Sequence, residues 1–208
     1  NDFERRRPLA DALERGFASI EVDVALRSGT LYVTHDSTKI DPAMTLVDLY
    51  LEPLRTLANG NGGSVYSDPS SPPLQLLVDV KSDGDQAYEA LESLLEEYDS
   101  LVTRWSGTER RVGAVTVVIS GNRARDRLAE DPDRRVALDG RIWEDRDRFP
   151  PSMMPLVSIN WDDTEKPGDD WPSADRMEIA RLFIERVHAE GRRVRFWNTP
   201  DRKDVWAW

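Results

Sequence analysis

Leu74-Gln75-Leu76-Leu77-Val78-Asp79-Val80 is the stretch that most narrows what this chain can become. A nearly continuous apolar run of that length marks a strand covered on both faces, and such strands belong to parallel sheets. Val112 to Ile119 repeats the pattern, and Ser19 to Val24, Leu31 to Thr34, Arg135 to Leu138, Pro155 to Ile159 and Val194 to Trp197 read as further strands. Helical segments lie between them. Arg6 to Arg15 carries Pro8 in its first turn and Gly16 just past its end, and Thr45 to Ala58 follows. Gln86 to Val102 places Leu91, Leu94, Leu95, Tyr98 and Val102 on one stripe, Asn122 to Glu130 is shorter, and Ser173 caps a helix to Glu190 closed by Gly191. Strand and helix alternating this often imply parallel strands joined by right-handed crossovers.

The polar residues sharpen that picture. On the strand Ser19 to Val24, Ile20, Val22 and Val24 form an apolar face, so Glu21 and Asp23 share the opposite one. Two residues of rise separate the carboxylates by ~7 Å, within reach of one divalent cation. The turn signal Arg27-Ser28-Gly29 then brings Leu31 to Thr34 back and delivers His35 near the same end. By the same alternation Asp79 and Lys81 face one side of their strand, where Asp79 would supply a third oxygen ligand and Lys81 a point charge for a phosphate oxygen. Three carboxylates suit Mg²⁺ or Ca²⁺, and with only two histidines in the chain zinc is disfavoured.

Each member has a plainer reading. Asp79 and Lys81 can be an ion pair at a strand end, Glu21 and Asp23 a solvated strand face, and His35 a ring satisfied by Asp36 or by backbone. His188, in the last turn of its helix, complements the helix dipole. Asp162-Asp163 and Asp169-Asp170 read as solvated loop charge. No Gly-x-Ser-x-Gly accompanies a histidine, so a serine hydrolase is excluded. Asn59 to Pro73 reads as an exposed loop whose Gly-Asn-Gly-Gly lacks the Lys-Ser/Thr of a phosphate loop.

Composition removes other classes. A net charge of −11 opposes non-specific nucleic-acid binding and docking to anionic lipid. No stretch approaches the ~20 apolar residues of a transmembrane span. Without cysteine there is neither disulfide nor thiolate zinc, and the compartment stays open. The 208 residues suit one domain over 1–208. Two architectures fit, a closed (β/α)8 TIM barrel and an open doubly wound sheet. Polar residues at or after nearly every strand end, among them Ser120, Asn122, Asp139, Asn160, Trp161, Trp197 and Asn198, favour the barrel, whose rim collects residues from many strands.

Asn1-Asp2-Phe3, Arg7-Pro8-Leu9, Gly16-Phe17, Ser19 to Val24 and Leu31-Tyr32-Val33-Thr34-His35-Asp36 together resemble the opening of the PLC-like phosphodiesterase superfamily. Its members include glycerophosphodiester phosphodiesterases, phosphatidylinositol phospholipases C and sphingomyelinase D-like enzymes. The resemblance is dense to residue 36, resumes at Leu77 to Gly84, and later rests on Phe196-Trp197-Asn198-Thr199.

The resemblance implies a metal-dependent phosphodiester hydrolase of glycerophosphodiesterase-like type acting on glycerophosphodiesters or phospholipid head groups. Glu21, Asp23 and Asp79 match its metal ligands, His35 the second of two catalytic histidines, and Lys81 the lysine beyond the third ligand. Asn1, Asn160 and Trp197 are the remaining candidates for substrate contacts. The rivals are a phospholipase D-type enzyme forming a cyclic phosphate and a silent barrel that binds a phosphate ligand or a partner. The family's first histidine would precede Asn1, and Phe3 stands where Tyr is usual. The chain is therefore expected to be a piece of a barrel lacking its first and last strands, half of the acid-base pair and one sealed seam, and to self-associate through open edges.

Overall fold

The computed structural model of the chain describes residues 2–68, 70–141, 144, 147–161 and 174–203. Two compact units make up the chain, Asn1–Leu138 and Asp139–Trp208.

In the first unit, β1 (Ser19–Arg27) pairs with β2 (Thr30–Val33) antiparallel and with β3 (Leu74–Val80) parallel. Strand β3 in turn lies parallel to β6 (Val115–Gly121), and β6 to the start of β8 (Val136–Arg141). The β1–β2 connection needs only Ser28 and Gly29, both with positive φ (52° and 81°), the two-residue turn whose twist matches its strands. Leu76, Leu77, Val78, Val117, Val118 and Ile119 are all buried, as their apolar runs require. Helix α2 (Glu52–Gly60) follows a π-helical turn at Val47–Leu51, and α3 (Gly84–Glu96) buries Ala87, Tyr88, Leu91 and Leu95. Asp83 caps α3 by accepting the Gln86 N–H at 2.9 Å, which starts the helix ahead of its expected first residue. Helix α4 (Arg125–Glu130) leads toward β8.

Local competition shortened one expected helix. Arg6 to Arg15 yields only α1 (Ala10–Glu14), because Leu9 sits at φ 62° with its N–H donated to Asp2 Oδ2 at 2.6 Å. A small antiparallel sheet of β4 (Arg104–Ser106), β5 (Glu109–Arg111) and β7 (Asp133–Arg134) was invisible to periodicity, its strands being two or three residues long. It holds Trp105 between the guanidinium groups of Arg134 and Arg110, 4.5 and 5.8 Å from the ring.

The second unit takes the last residues of β8, pairs them parallel with β9 (Leu156–Asn160), and pairs β9 parallel with β10 (Arg193–Trp197). Helix α5 (Ala174–Ala189) ends with Arg192 N–H donated to Val187 O across Gly191 at φ 78°. His188 lies exposed in its last turn, while the expected cap Ser173, Asp162-Asp163 and Asp169-Asp170 lie outside the described residues.

The expected (β/α)8 TIM barrel, incomplete at both ends, is overturned. In the first unit the hydrogen-bonded order is β8-β6-β3-β1-β2 with β2 antiparallel, in the second it is β10-β9-β8, and only five α-helices occur among the described residues. A barrel gives every strand two parallel neighbours. Here the hairpin folds β2 onto the second edge of β1 from Val24 to Arg27, where a parallel barrel strand would have to pair. Polar residues at strand ends did not discriminate, because an open parallel sheet also gathers its site at the carboxyl ends.

One half-buried carboxylate ties helix to sheet in the first unit. Glu92 on α3 accepts the backbone N–H groups of Arg135 and Val136 at 2.9 Å. Burial pushes its pKa up to about 7, against the downward pull of those two donors. Its proton is thus held more tightly folded than unfolded, so the stabilisation is complete below the ordinary pKa and is lost as pH rises toward 7. Unfolding free energy is expected to fall by on the order of 3 kcal/mol between about pH 4.5 and 7. Glu92→Gln should flatten that slope in denaturant titrations across the range; parallel curves for the two proteins would show Glu92 ionised in the fold.

Candidate active site

Glu21 and Asp23, from the first half and centre of β1, meet Asp79 from the carboxyl end of β3. Parallel register sets Asp23 directly beside Asp79, and alternation turns Glu21 to the same side. One carboxylate oxygen from each lies within 4.8 Å of the other two. Asp23 is buried, with a side chain 2% exposed, and the other two are half-buried.

Lys81 reaches across the pair, its Nζ 2.9 Å from Asp79 Oδ1 and 3.3 Å from Asp23 Oδ1. The Lys81 ammonium is thus the partner of Asp79 Oδ1, which is buried. Burial acts to lower the Lys81 pKa, and the carboxylates of Asp79 and then Asp23 outweigh it, so the ammonium is held above its ordinary range. The ion pair foreseen as the plainer reading of Asp79 and Lys81 is therefore present.

His35 arrives through the hairpin. Thr34 N–H donates to Asp23 O at 3.0 Å, and the His35 ring then lies with Nδ1 2.8 Å from Asp23 Oδ2. Asp36, the expected alternative partner, is occupied by Thr38, whose N–H and Oγ1 reach Oδ1 at 3.0 and 2.6 Å, and by Lys39. Those donors, Thr38 first, hold the Asp36 carboxyl down at about 2. The His35 side chain is 66% exposed, so its second nitrogen is open to an incoming ligand.

The surrounding strand ends are tied together. Lys81 N–H donates to Val24 O at 2.8 Å, Leu26 N–H to Ser82 Oγ at 3.0 Å, and Asn122 Nδ2 to Ser82 O at 2.8 Å. Gly121 closes the floor: at φ 68°, a Cβ there would lie 2.2 Å from Asp79 Oδ1. Sequence reasoning missed Gly121, although Ser120-Gly121-Asn122 at a strand end carried the signal. It also missed Tyr50, buried, whose hydroxyl donates to Asp2 Oδ2 at 2.9 Å. No local pattern distinguishes Tyr50 from an ordinary core tyrosine.

The donor set fits a hard cation: one oxygen from each of three carboxylates converges within 4.8 Å of the others, and Asp23 among them is buried. Among the remaining sequence candidates, Asn160 and Trp197 stand opposite each other at the ends of β9 and β10 in the second unit, and Asn1 lies outside the described residues. No helix among the described residues is long and apolar enough to cross a membrane.

Residues 1–139 match the sequence model of the AIM6-like phosphodiesterase domain, a span that contains every residue of the cluster. The chain is 29% identical to "Altered inheritance of mitochondria protein 6 homolog" of Arthroderma benhamiae, an alignment covering 99% of the chain and 74% of that protein. It is 26% identical to "Altered inheritance of mitochondria protein 6" of Eremothecium gossypii, over 99% of the chain and 62% of that protein. The protein of the same name in Kluyveromyces lactis is 30% identical over 59% of the chain and 36% of its own length.

Proposed function

Since this chain belongs to the AIM6-like phosphodiesterase domain family, we propose that it hydrolyses phosphodiesters of glycerophosphodiester or phospholipid head-group type with a divalent cation bound by Glu21, Asp23 and Asp79. The observation that carries this reading is Asp23, whose two oxygens serve the acidic cluster and His35 at once. Mg²⁺ or Ca²⁺ held there would offset negative charge on the phosphate oxygens.

The protein's own groups do the rest. Asp23 Oδ2 accepts the Nδ1 proton of His35, which leaves the Nε2 lone pair outward as a base. Nε2 takes the proton of the attacking hydroxyl, whether water or a neighbouring hydroxyl of the substrate that first closes a cyclic phosphate, and returns it to the departing alkoxide. Lys81 is near enough to the same carboxylates to hold a phosphate oxygen as a point charge. The sum of the reaction is one water consumed and one P–O bond exchanged.

A second reading has its own support. Lys81 Nζ already bridges Asp23 and Asp79, as it would in a domain that binds a phosphate ligand without turning it over. The two are separated by following glycerophosphocholine and lysophosphatidylcholine by phosphorus NMR with Mg²⁺, with Ca²⁺ and with EDTA. Turnover lost in EDTA, and reduced at least ~100-fold in His35→Ala, is expected of the hydrolase. Equal rates in the two proteins would remove His35 from the chemistry, and metal binding without turnover would favour the silent domain.

A further inference from the structure

A cleft of about 560 Å³ runs along the first unit beside the acidic cluster, with Glu21 in its wall. Its other chemistry comes from Arg5, Arg15, Asp2, Asp11 and Phe17. The two acids are already engaged. Asp2 Oδ2 accepts Leu9 N–H and the Tyr50 hydroxyl at 2.6 and 2.9 Å, and Asp11 Oδ1 pairs with the Arg7 guanidinium at 2.6 Å. The two arginines are not: among the described residues neither has a carboxylate partner, and Arg15 donates only to the backbone oxygen of Asp11 at 3.0 Å. Phe17, 54% exposed, adds an apolar wall.

Resting on the hydrolase reading, we infer that this cleft is an anion subsite, and that the preferred substrate carries a second anionic group, a carboxylate or its equivalent, beyond the phosphodiester. Asp2 and Asp11 in the cleft are already engaged, so Arg5 and Arg15, neither within ion-pair distance of a carboxylate among the described residues, are its available cationic donors. Guanidinium presents paired donors that fit a carboxylate in two hydrogen bonds. With Glu21 facing the cation and Arg5 and Arg15 further along, a bound molecule would set its phosphate at the cluster and its second anion in the cleft. Phe17 would cover the carbon skeleton between them.

The test separates the subsite from the chemistry. Binding of O-phosphoserine and O-phosphoethanolamine, which differ by one carboxylate, is measured by calorimetry on the Mg²⁺-loaded protein. Phosphoserine is expected to bind about ten-fold more tightly. The ratio should fall at least five-fold in Arg5→Gln and in Arg15→Gln, and should shrink with added salt. Equal affinities in the unaltered protein, or a ratio untouched by both substitutions, would overturn the inference. The same pair of head groups is then offered as soluble glycerophosphodiesters and as lysophospholipids, followed by phosphorus NMR, to tell a soluble source from a lipid one. A binding preference that persists with no diester hydrolysed would leave the subsite standing and refute the hydrolase.

Discussion

Asp23→Asn is expected to lower phosphodiester turnover by on the order of a thousand-fold while leaving the protein folded. The substitution conserves shape and removes one charge from the residue on which the site converges. Asp23 Oδ2 meets His35 Nδ1 at 2.8 Å and Oδ1 meets Lys81 Nζ at 3.3 Å. Asparagine offers one acceptor and one donor, so it cannot serve both. If its oxygen turns to Lys81, its NH₂ faces His35 Nδ1, which must then accept, and the ring proton moves to Nε2. That is the wrong tautomer for a base. If the oxygen turns to His35, a donor faces an ammonium. Either way one of three carboxylate charges leaves the cation site, and Mg²⁺ affinity should fall at least ~10-fold. The chain has two histidines, so nitrogen-detected NMR reads the His35 tautomer beside His188 as an internal reference. Turnover within a few-fold of the unaltered protein, or an unchanged tautomer with unchanged Mg²⁺ affinity, would refute the central role of Asp23.

The second large effect is structural in cause. Gly121→Ala is expected to destabilise the protein by about 3–5 kcal/mol and lower its melting temperature by about 10 °C. Gly121 sits at φ 68°, a conformation an L side chain adopts at a cost. The added Cβ would also lie 2.2 Å from Asp79 Oδ1 and 2.5 and 2.8 Å from the backbone O and N of Val80. A carboxylate can rotate away, but strand backbone cannot without loosening the parallel pairing of Val80 with Gly121. Asp79 would be driven out of its place beside Asp23 and Lys81. Residual folded protein should therefore bind Mg²⁺ more weakly than the stability loss alone accounts for, measured below its melting range. Ser120→Ala, one residue away and without the clash, provides the comparison for a merely local disturbance. A Gly121→Ala protein with unchanged melting and Mg²⁺ binding would show that the floor of the site yields freely.

The elements were legible in proportion to their length and pattern. Leu74 to Val80 is a strand from end to end as expected, because a continuous apolar run has one stable disposal, inside a sheet. Ser28-Gly29 read correctly as a hairpin turn, since few residues accept two consecutive positive φ values. The β4–β5–β7 sheet escaped because two- and three-residue strands carry no period. The expected helix over Arg6 to Arg15 failed for a different reason: Asp2, outside the segment, captures the Leu9 N–H and delays its start.

At the site, alternation along single strands determined that Glu21 and Asp23 share a face, and likewise Asp79 and Lys81. That inference depends only on neighbours in the chain, whose geometry the peptide imposes. That β3 lies beside β1, and in what register, depends on residues far apart in the chain, such as Asp23 and Asp79, and no local pattern encodes it. Tertiary structure alone therefore put Asp79 beside Asp23, gave His35 to Asp23 instead of Asp36, and set Lys81 between two carboxylates. It also decided against the barrel. Apolar periodicity says that a strand is buried, but the hairpin that folded β2 onto β1 determined what covers its edge.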